Sequence, residues 1–351
     1  MIRLEIEQFR DSVGTHGYIF DVRTPAEFEQ GHVPGAVNLP LFSNEERAMI
    51  GTTYKQVGRH QAILEGLDVI GPRMRGLVEA VQERVGAPDT APPVHVHCWR
   101  GGMRSGSVAW LLEMYGFEVR TLTGGYKAFR RWVLETLAKP PPLRVLGGRT
   151  GSGKTLVLDE LAALGEPVLD LEGLANHRGS AFGALGLGAQ PTQEQFEALV
   201  AVRLAELGDC AVWVEDESRM IGRRQVPDPL MAAMRSSAVY ALHMGMTRRV
   251  QNLVDVYGDA AFDELRACFD AIEKRLGRER KVEAHAALDE RDLARAAQIA
   301  LSYYDKTYDY GLSRRDPERV EDIDGLDDMT PAEIAQTLRQ RAADLEREQQ
   351  R

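Results

Sequence analysis

Residues 94–105 read Val94-His95-Val96-His97-Cys98-Trp99-Arg100-Gly101-Gly102-Met103-Arg104-Ser105. The apolar start predicts a buried strand, and the apolar spacing of residues 108–112 predicts a helix. The cysteine therefore lies in a tight loop between a strand and a helix N-terminus, where backbone N–H groups and the helix dipole favour anions. We expect the glycine pair to let the backbone curl around a small anion, and the two arginines to add positive charge.

This setting predicts a reactive thiolate at Cys98. Positive charge and a helix N-terminus lower the pKa of a thiol, and the thiolate is the nucleophile. The alternative is a buried structural cysteine, because free cysteine is often buried and inert. That alternative leaves the glycine pair and the arginines unexplained. We therefore favour a cysteine that attacks an anionic group, or that carries an atom taken from one.

The surrounding sequence predicts a parallel α/β domain over residues 1–138. Strand and helix patterns alternate, as is typical of a parallel sheet, and such sheets bind ligands past the carboxyl ends of their strands. Strands are expected at 18–22, within 31–40, at 94–97 and at 118–122, and helices at about 73–85, 104–115 and 125–138. Residues 43–74 form either a surface helical insertion or a lid above the cysteine, and the sequence favours neither.

Composition limits the classes of protein to consider. The chain has 351 residues, 44% hydrophobic and 27% charged, which fits two globular domains. Three cysteines are too few for a disulfide framework, so a reducing cytoplasm is expected. Neither a signal peptide nor a membrane-spanning stretch is recognisable, and no membrane partner is expected. The net charge of −10 argues against a protein that coats nucleic acid indiscriminately.

A short proline-rich segment, residues 139–142, predicts a stiff linker, followed by a second domain over residues 143–351. A strand at about 143–147 leads into Gly148-Arg149-Thr150-Gly151-Ser152-Gly153-Lys154-Thr155, which matches the P-loop pattern in full. We expect the backbone N–H groups of this loop to bind phosphates, Lys154 to reach the terminal ones and Thr155 to ligate magnesium if the ion binds.

Two further segments of the second domain carry candidate residues. An apolar strand ends in Glu215 and Asp216, the place of the Walker B acid, and the sequence does not choose between them. If magnesium binds, Asp216 would join Thr155. Residues 170–183 are predicted to form a substrate loop rather than a solvent loop. In that loop His177, Arg178 and Ser180 suit an anion, and Phe182 can stack or line an apolar slot.

The remainder of the second domain is predicted to be mainly helical. Arg248 and Arg249 open a helix, as lid arginines do in small P-loop kinases. The chain from about residue 250 onward is predicted to be helical.

The first domain resembles the rhodanese family, whose cysteine takes up sulfur as a persulfide. The resemblance lies in Asp21-x-Arg23-x-x-x-Glu27-Phe28-x-x-Gly31-His32-x-x-Gly35-Ala36-x-Asn38-Leu39-Pro40 and in the Cys98 loop. The loop has five residues between Cys98 and Arg104, one more than is usual in single-domain rhodaneses. In this it resembles the rhodanese-like dual-specificity phosphatases. A longer loop favours a phosphate-sized or selenium-bearing donor.

Nearly the whole chain resembles the tRNA 2-selenouridine synthases. The resemblance lies in five segments: the Cys98 loop, Thr123-Gly124-Gly125-Tyr126-Lys127, the P-loop, residues 171–180, and Val214-Glu215-Asp216-Glu217-Ser218-Arg219-x-Ile221-Gly222. It implies replacement of the sulfur of 2-thiouridine, at the wobble position of tRNA, by selenium from selenophosphate. The S-geranyl form made from geranyl diphosphate is the implied intermediate.

The same resemblance implies roles for residues and partners. Cys98 would be the catalytic cysteine. Trp99, Arg100, Gly101, Gly102 and Arg104 would bind selenophosphate, while Gly148, Gly151, Ser152, Gly153, Lys154 and Thr155 would bind the diphosphate. ATP or GTP also fits the P-loop motif. The implied partners are tRNA and an enzyme that supplies selenophosphate.

Two alternatives of other classes remain. One is a sulfurtransferase or cysteine phosphatase regulated by a nucleotide-binding domain, although the sequence identifies no acid near the loop for a phosphatase. The other is a nucleotide-gated binding protein without enzymatic activity. The intact Cys98, Lys154 and Thr155 argue against the second.

Overall fold

The computed structural model describes residues 1–14 and 17–349. By its internal contacts the chain divides into two compact units. The first consists of Met1–Thr136 with Thr192–Val202, and the second of Leu137–Pro191 with Arg203–Arg351. Of the predicted domains, residues 15, 16, 350 and 351 lie outside the described residues. Within the described ranges, no helix is both long and apolar enough to cross a membrane.

The first unit is built on a five-stranded parallel sheet in the order β1-β5-β4-β2-β3. Its strands are β1 (Ile2–Leu4), β2 (Tyr18–Asp21), β3 (Ala36–Asn38), β4 (Val94–His97) and β5 (Val119–Leu122). Its helices are α1 (Ile6–Val13), α2 (Pro25–Gln30), α3 (Asn44–Gln56), α4 (Arg59–Ile70), α5 (Met74–Val85), α6 (Met103–Tyr115) and α7 (Gly125–Leu137). The predicted strands and helices of this unit are present, and the fold class is confirmed.

Buried apolar strands place the cysteine loop. All four residues of β4 are buried, and β4 pairs with β2 so that His97 lies beside Asp21. The core beneath them contains Phe20, Val94 and Val96. Because carboxyl ends of parallel strands meet at one edge of a sheet, the segments after β2 and β4 meet there. The residues that carry the resemblance in residues 21–28 therefore lie beside the Cys98 loop.

The segment 43–74, whose nature the sequence left open, folds as α3 and α4. Ser43 caps α3 in a capping box with Glu46, and Glu46 also receives two hydrogen bonds from Arg73, at 2.8 and 2.6 Å. Ile50 and Ile70 pack against the core of the sheet. The segment is thus a helical pair attached to the core along one face.

The second unit is also built on a five-stranded parallel sheet, in the order β12-β11-β6-β8-β7, with a two-stranded hairpin. Its strands are β6 (Leu143–Gly148), β7 (Val168–Leu169), β8 (Val212–Glu215), β9 (Met220–Ile221), β10 (Arg224–Gln225), β11 (Ala238–Leu242) and β12 (Val320–Ile323). Its helices are α8 (Lys154–Ala163), α9 (Leu171–Ala175), α11 (Asp228–Ser236), α12 (Met246–Tyr257), α13 (Phe262–Ala271), α14 (Glu273–Leu276), α15 (Arg278–Asp289), α16 (Leu293–Leu312) and α17 (Pro331–Gln349). α10 (Gln193–Leu207) contributes residues to both units.

One strand of this sheet departs from the sequence prediction. The region after residue 250 is helical as predicted except for β12, which pairs with β11 at the sheet edge. β12 reads Val-Glu-Asp-Ile, and only Ile323 is fully buried. A stretch of four residues that includes two acidic ones has no clear strand pattern in sequence. Such an edge strand is recognised only from its hydrogen-bonded pairing with β11.

The buried pair of Asp21 and Arg23 yields a stability prediction. Arg23 donates to both carboxylate oxygens at 2.5 to 3.0 Å, and both side chains are almost fully buried. Asp21→Asn leaves the guanidinium buried without a charged partner, so the free energy of unfolding should fall by about 3 kcal/mol. Urea unfolding followed by tryptophan fluorescence measures the change.

The matched control is Glu79→Gln, which breaks the exposed pair of Arg75 and Glu79. This variant should unfold at nearly the wild-type urea concentration, because exposed pairs contribute little. Equal midpoints for the two variants would contradict a structural role for the buried pair.

Candidate functional site

Cys98 lies at the bottom of a loop between β4 and α6. Its side chain is 3% exposed. Its Sγ lies 3.2 Å from the Ser105 Oγ, on the first turn of α6. Gly101 has a φ of +64°, a backbone conformation that glycine adopts at little cost. The loop therefore turns its backbone N–H groups inward, as the sequence predicts for an anion site.

The environment of Cys98 lowers the pKa of its thiol. Burial by itself raises this pKa, but hydrogen bonds from the Ser105 hydroxyl and from the backbone N–H groups of Ser105, Arg100 and Gly102 lower it by more. Hydrogen bonds to the charged form favour that form. The stabilisation thus comes from backbone and hydroxyl donors, and the loop is suited to a thiolate or to another anion.

A second turn holds the cysteine loop in place. Tyr126 N–H donates to the Cys98 carbonyl at 2.8 Å, and Lys127 N–H donates to the Trp99 carbonyl at 3.0 Å. A Cβ on Gly125 would collide with the Cys98 carbonyl and with the backbone nitrogens of the loop. The Thr123–Lys127 segment, which carries part of the resemblance, is therefore a backbone support for the cysteine loop.

The predicted anion ligands of the loop differ in their availability. Arg100 and Trp99 are exposed, whereas Arg104 donates to the Glu27 carboxylate at 2.7 and 3.3 Å. Burial alone would raise the pKa of Glu27, but hydrogen bonds from Arg104 and from the Thr24 N–H lower it below its usual value. An anion that binds Arg104 must therefore compete with this carboxylate.

Beneath the loop lies a buried group that local sequence patterns did not predict. The Arg23 guanidinium lies 3.7 Å from the centre of the Tyr126 ring, and the Tyr126 hydroxyl donates to Glu194 at 2.7 Å. Burial, together with the Glu194 carboxylate, raises the pKa of Tyr126. Glu194 belongs to the Thr192–Val202 segment of the same unit. The only signal for it would have been covariation with Tyr126.

In the second unit, the P-loop connects β6 to α8, as predicted. Lys154 is the first residue of α8, and its Nζ donates to the Gly148 carbonyl at 2.8 Å. The Ser152 hydroxyl is buried, and the described residues offer it no hydrogen-bond partner. Lys154 and Ser152 therefore provide polar groups that a phosphate can engage when it enters the loop.

The P-loop is held from outside by α12 and α16. Arg249 donates to the Thr150 carbonyl at 2.8 Å and forms an ion pair with Asp305, while Asn252 donates to the Gly151 carbonyl at 2.8 Å. Arg249 is 2% exposed. The interpretation of Arg249 as a lid arginine is therefore wrong, since a buried side chain that supports the loop backbone cannot close over a ligand.

The two Walker B candidates face different partners. The Asp216 carboxylate accepts a hydrogen bond from Arg315 at 2.5 Å and lies 3.8 Å from Arg235. Glu215 is buried, and its Oε1 accepts the Glu172 N–H at 2.8 Å. Glu172 in turn lies 3.4 Å from the Thr155 hydroxyl. Glu215 is thus connected to the P-loop through Glu172, whereas Asp216 is bound by two arginines.

A group of acids, of which Glu215 is buried and the others are half-buried, surrounds this connection. Burial, and then the charges of Asp170 and Glu172, raise the pKa of Glu215 to about 8. Burial also raises the pKa of Glu172 and, further, that of Glu217. Glu172 and Glu217 were not among the predicted site residues, although both lie in segments that carry the resemblance. Their positions directly after β7 and β8 are the signal that could have identified them.

The predicted substrate loop contributes mainly to packing. Phe182 is buried, with its ring 5.1 Å from that of Phe269. Arg178 donates to the Leu185 carbonyl at 2.8 Å. His177 is buried between Gly183 and Gly222, and burial lowers its pKa. Ser180 and Phe182 line a cavity beside the P-loop, and His177 and Arg178 do not.

The Cys98 environment predicts the effect of one substitution. Ser105→Ala removes the hydroxyl that contacts Sγ, so the pKa of Cys98 should rise. The titration is followed by the ultraviolet absorbance of the thiolate, taken as the difference from Cys98→Ser. Ser107→Ala is the control, because the exposed Ser107 hydroxyl bonds the Arg104 carbonyl instead. Equal thiolate titrations in the two serine variants would refute the role of Ser105.

The buried Glu215 predicts a pH dependence of stability. Folding raises the pKa of Glu215 from 4.5 to about 8, so between these values the folded chain holds a proton that the unfolded chain has lost. Stability therefore falls as pH rises through this window. Glu215→Gln keeps an acceptor for the Glu172 N–H without the charge and should make the fall shallower.

Urea midpoints at about pH 5 and about pH 8, without magnesium, measure this effect. Glu264→Gln, at an exposed position on α13, serves as the control and should keep the wild-type slope. An unchanged slope in Glu215→Gln would show that the carboxyl is ionised in the folded chain at neutral pH.

Comparison with known proteins agrees with both halves of this description. Residues 5–131 match the rhodanese-like domain, and residues 141–342 match the tRNA 2-selenouridine synthase AAA domain. The chain is 34% identical over 349 residues to the tRNA 2-selenouridine synthase of Photobacterium profundum, covering 90% of this chain and 94% of that protein. The protein of the same name from Alcanivorax borkumensis is 37% identical over 337 residues, covering 85% of this chain and 90% of that protein.

A third relative aligns over a shorter region. The tRNA 2-selenouridine synthase of Nitrosomonas europaea is 38% identical over 246 residues, and there the chain spans 63% of the relative's length. Two adjacent domain matches and relatives that align along almost their whole length lead to one conclusion: the chain belongs to the tRNA 2-selenouridine synthase family.

Proposed function

We propose that this chain replaces the sulfur of 2-thiouridine, at the wobble position of tRNA, with selenium from selenophosphate. The reaction passes through S-geranyl-2-thiouridine, made from geranyl diphosphate. One observation carries the proposal: the same chain combines a thiol of lowered pKa in an anion-binding loop with a complete phosphate loop. Full-length relatives named tRNA 2-selenouridine synthase support it. Its three cysteines are free, which is consistent with a reducing cytoplasm.

The P-loop is assigned to the first step. The sulfur of 2-thiouridine attacks C1 of geranyl diphosphate, a C–S bond forms, the C–O bond breaks and pyrophosphate leaves, while the base loses its N3 proton to solvent. Lys154 and the loop N–H groups stabilise the negative charge of the leaving group. Thr155, Glu172 and Glu215 provide oxygen donors that suit magnesium. The described residues form no ready set of three His, Cys, Asp or Glu ligands, so an ion held here would complete its shell with phosphate and water.

The cysteine loop is assigned to the second step. Selenium of selenophosphate attacks C2 of the base, a C–Se bond forms, and the C–S bond breaks as geranyl thiol leaves. Water then cleaves the Se–P bond and releases phosphate. Arg100, Arg104 and the loop N–H groups bind the oxyanion, and Cys98 carries or directs the selenium. Carrying it as a perselenide would reduce phosphorus and release phosphite, so the phosphorus product distinguishes the two roles.

The phosphatase alternative loses support from the state of Glu27. A cysteine phosphatase needs an acid that donates a proton to the leaving group. The carboxyl group that contacts an arginine of the cysteine loop belongs to Glu27. Its hydrogen bond from Arg104 holds its pKa below the usual value. A group that stays ionised and ion-paired is a poor proton donor at neutral pH.

The test incubates the full chain with tRNA bearing 2-thiouridine, geranyl diphosphate, selenophosphate and magnesium. Digested nucleosides are then measured by mass spectrometry. Wild type should yield 2-selenouridine, Cys98→Ser should accumulate S-geranyl-2-thiouridine, and Lys154→Ala should leave 2-thiouridine unchanged. These losses should exceed about a hundredfold, as expected when a group that stabilises the transition state is removed.

Two variants control for general damage. Cys210→Ser removes an exposed free cysteine, and Lys139→Ala removes an exposed lysine outside the P-loop. Both should match the wild type. If no nucleoside changes with any donor, the synthase proposal is wrong. If selenouridine forms without geranyl diphosphate, the assignment of the P-loop is wrong.

A further inference from the structure

A cavity in the second unit reaches the P-loop at Thr150. Its void measures about 550 Å³ with its open mouth included. α12, α13, α15 and α16 supply most of its wall, and Phe182 and Ser180 come from the loop after α9. Apolar side chains dominate the wall: Phe182, Leu253, Val254, Leu265, Phe269, Leu288, Leu293, Ala296, Ala297 and Ala300.

The polar groups of the cavity gather around Ser180. The Ser180 hydroxyl bonds the side chains of Tyr257 and Tyr304, and Tyr304 also accepts the Ala181 N–H at 3.2 Å. Thr150, the remaining polar lining residue, belongs to the P-loop itself. The polar side chains therefore bond largely to one another, and the rest of the wall offers hydrocarbon.

The apolar wall of the cavity favours a hydrocarbon ligand over a nucleotide base. A nucleotide base presents donors and acceptors around its edge, and these are costly to bury without partners. A hydrocarbon chain gains free energy from such a wall and needs no partner there. Because the cavity starts at the phosphate loop, the fitting ligand has a phosphate head and an apolar tail. Phe182 was predicted from the sequence to stack or to line an apolar slot. In the cavity wall it packs against Phe269 and Tyr257.

We propose that this cavity holds the isoprenoid tail of the diphosphate whose head lies on the P-loop, and that Leu253 and Ala297 set the accepted chain length. The proposal rests on the proposed function for the diphosphate itself. Leu253 and Ala297 line the cavity from α12 and α16 without being fully buried. Both positions can therefore be changed with less risk to the fold than the buried Phe269 or Leu288.

The test measures binding to the full chain with magnesium by calorimetry, using pyrophosphate and the dimethylallyl, geranyl and farnesyl diphosphates. Wild type should bind geranyl diphosphate at least about tenfold more tightly than pyrophosphate, as apolar contacts in a pocket allow. Ala297→Phe fills the cavity and should lose this gain for the geranyl and farnesyl compounds while pyrophosphate binds as before. Leu253→Ala enlarges the cavity and should shift the preference toward the farnesyl compound.

The matched control is Ala294→Phe, on the same helix at an exposed position outside the cavity. It should bind all four compounds like the wild type. Unchanged pyrophosphate binding shows that each variant is folded. The proposal is overturned if Ala297→Phe and Ala294→Phe show the same ratio of geranyl diphosphate to pyrophosphate affinity. ADP and GDP are measured in the same way, and the proposal is also overturned if Ala297→Phe weakens their binding instead of the binding of the prenyl compounds.

The outcome is separable from that of the proposed function. If the tail binds as described but no tRNA nucleoside changes, the cavity assignment holds and the synthase proposal fails. If selenouridine forms through the geranyl intermediate but Ala297→Phe and Ala294→Phe show the same ratio of geranyl diphosphate to pyrophosphate affinity, the synthase proposal holds. The isoprenoid tail then lies outside this cavity.

Discussion

The close approach of two glycine-bearing turns determines the chemistry of the first unit. Gly101 and Gly125 bring the loop after β4 and the turn after β5 into direct backbone contact, and a Cβ on Gly101 would lie 2.6 Å from the Leu122 carbonyl. Only this contact lets Tyr126 hold the Cys98 carbonyl while the other loop N–H groups face the sulfur. The lowered pKa of Cys98 therefore depends on the backbone path of the loop together with the Ser105 hydroxyl.

The same constraint governs the phosphate loop of the second unit. A Cβ on Gly151 would lie 2.7 Å from the Arg249 carbonyl, and Asn252 bonds the Gly151 carbonyl from the same helix. Such local features are visible in sequence, because a glycine pattern between a strand and a helix has few other uses. For this reason the strands that lead to both loops, both loops themselves and the fold class could be predicted from the sequence.

Pairings across long sequence separations could not be predicted. Adjacent strand residues point to opposite faces, so the pattern at Glu215 and Asp216 cannot say which side chain lies near the P-loop. The partner of Asp216 is Arg315, 99 positions away, and no local pattern indicates this contact. Likewise, nothing in the local pattern of Thr192–Val202 indicates that its contacts lie with the first unit. Arg249 shows the same limit, because its burial depends on Asp305 in another helix.

The two loops differ in how their charge is balanced, and this separates their chemistry. At the cysteine loop Arg104 is already neutralised by Glu27, so an incoming oxyanion gains most from the backbone donors and from the exposed Arg100. At the P-loop the pKa of Glu215 is raised to about 8, so a magnesium ion must displace a proton before it can use this carboxyl. A P-loop fold does not by itself require that the bound ligand is a nucleotide. Where the wall beside the phosphate loop is apolar, the P-loop can stabilise a departing diphosphate without any role for a base.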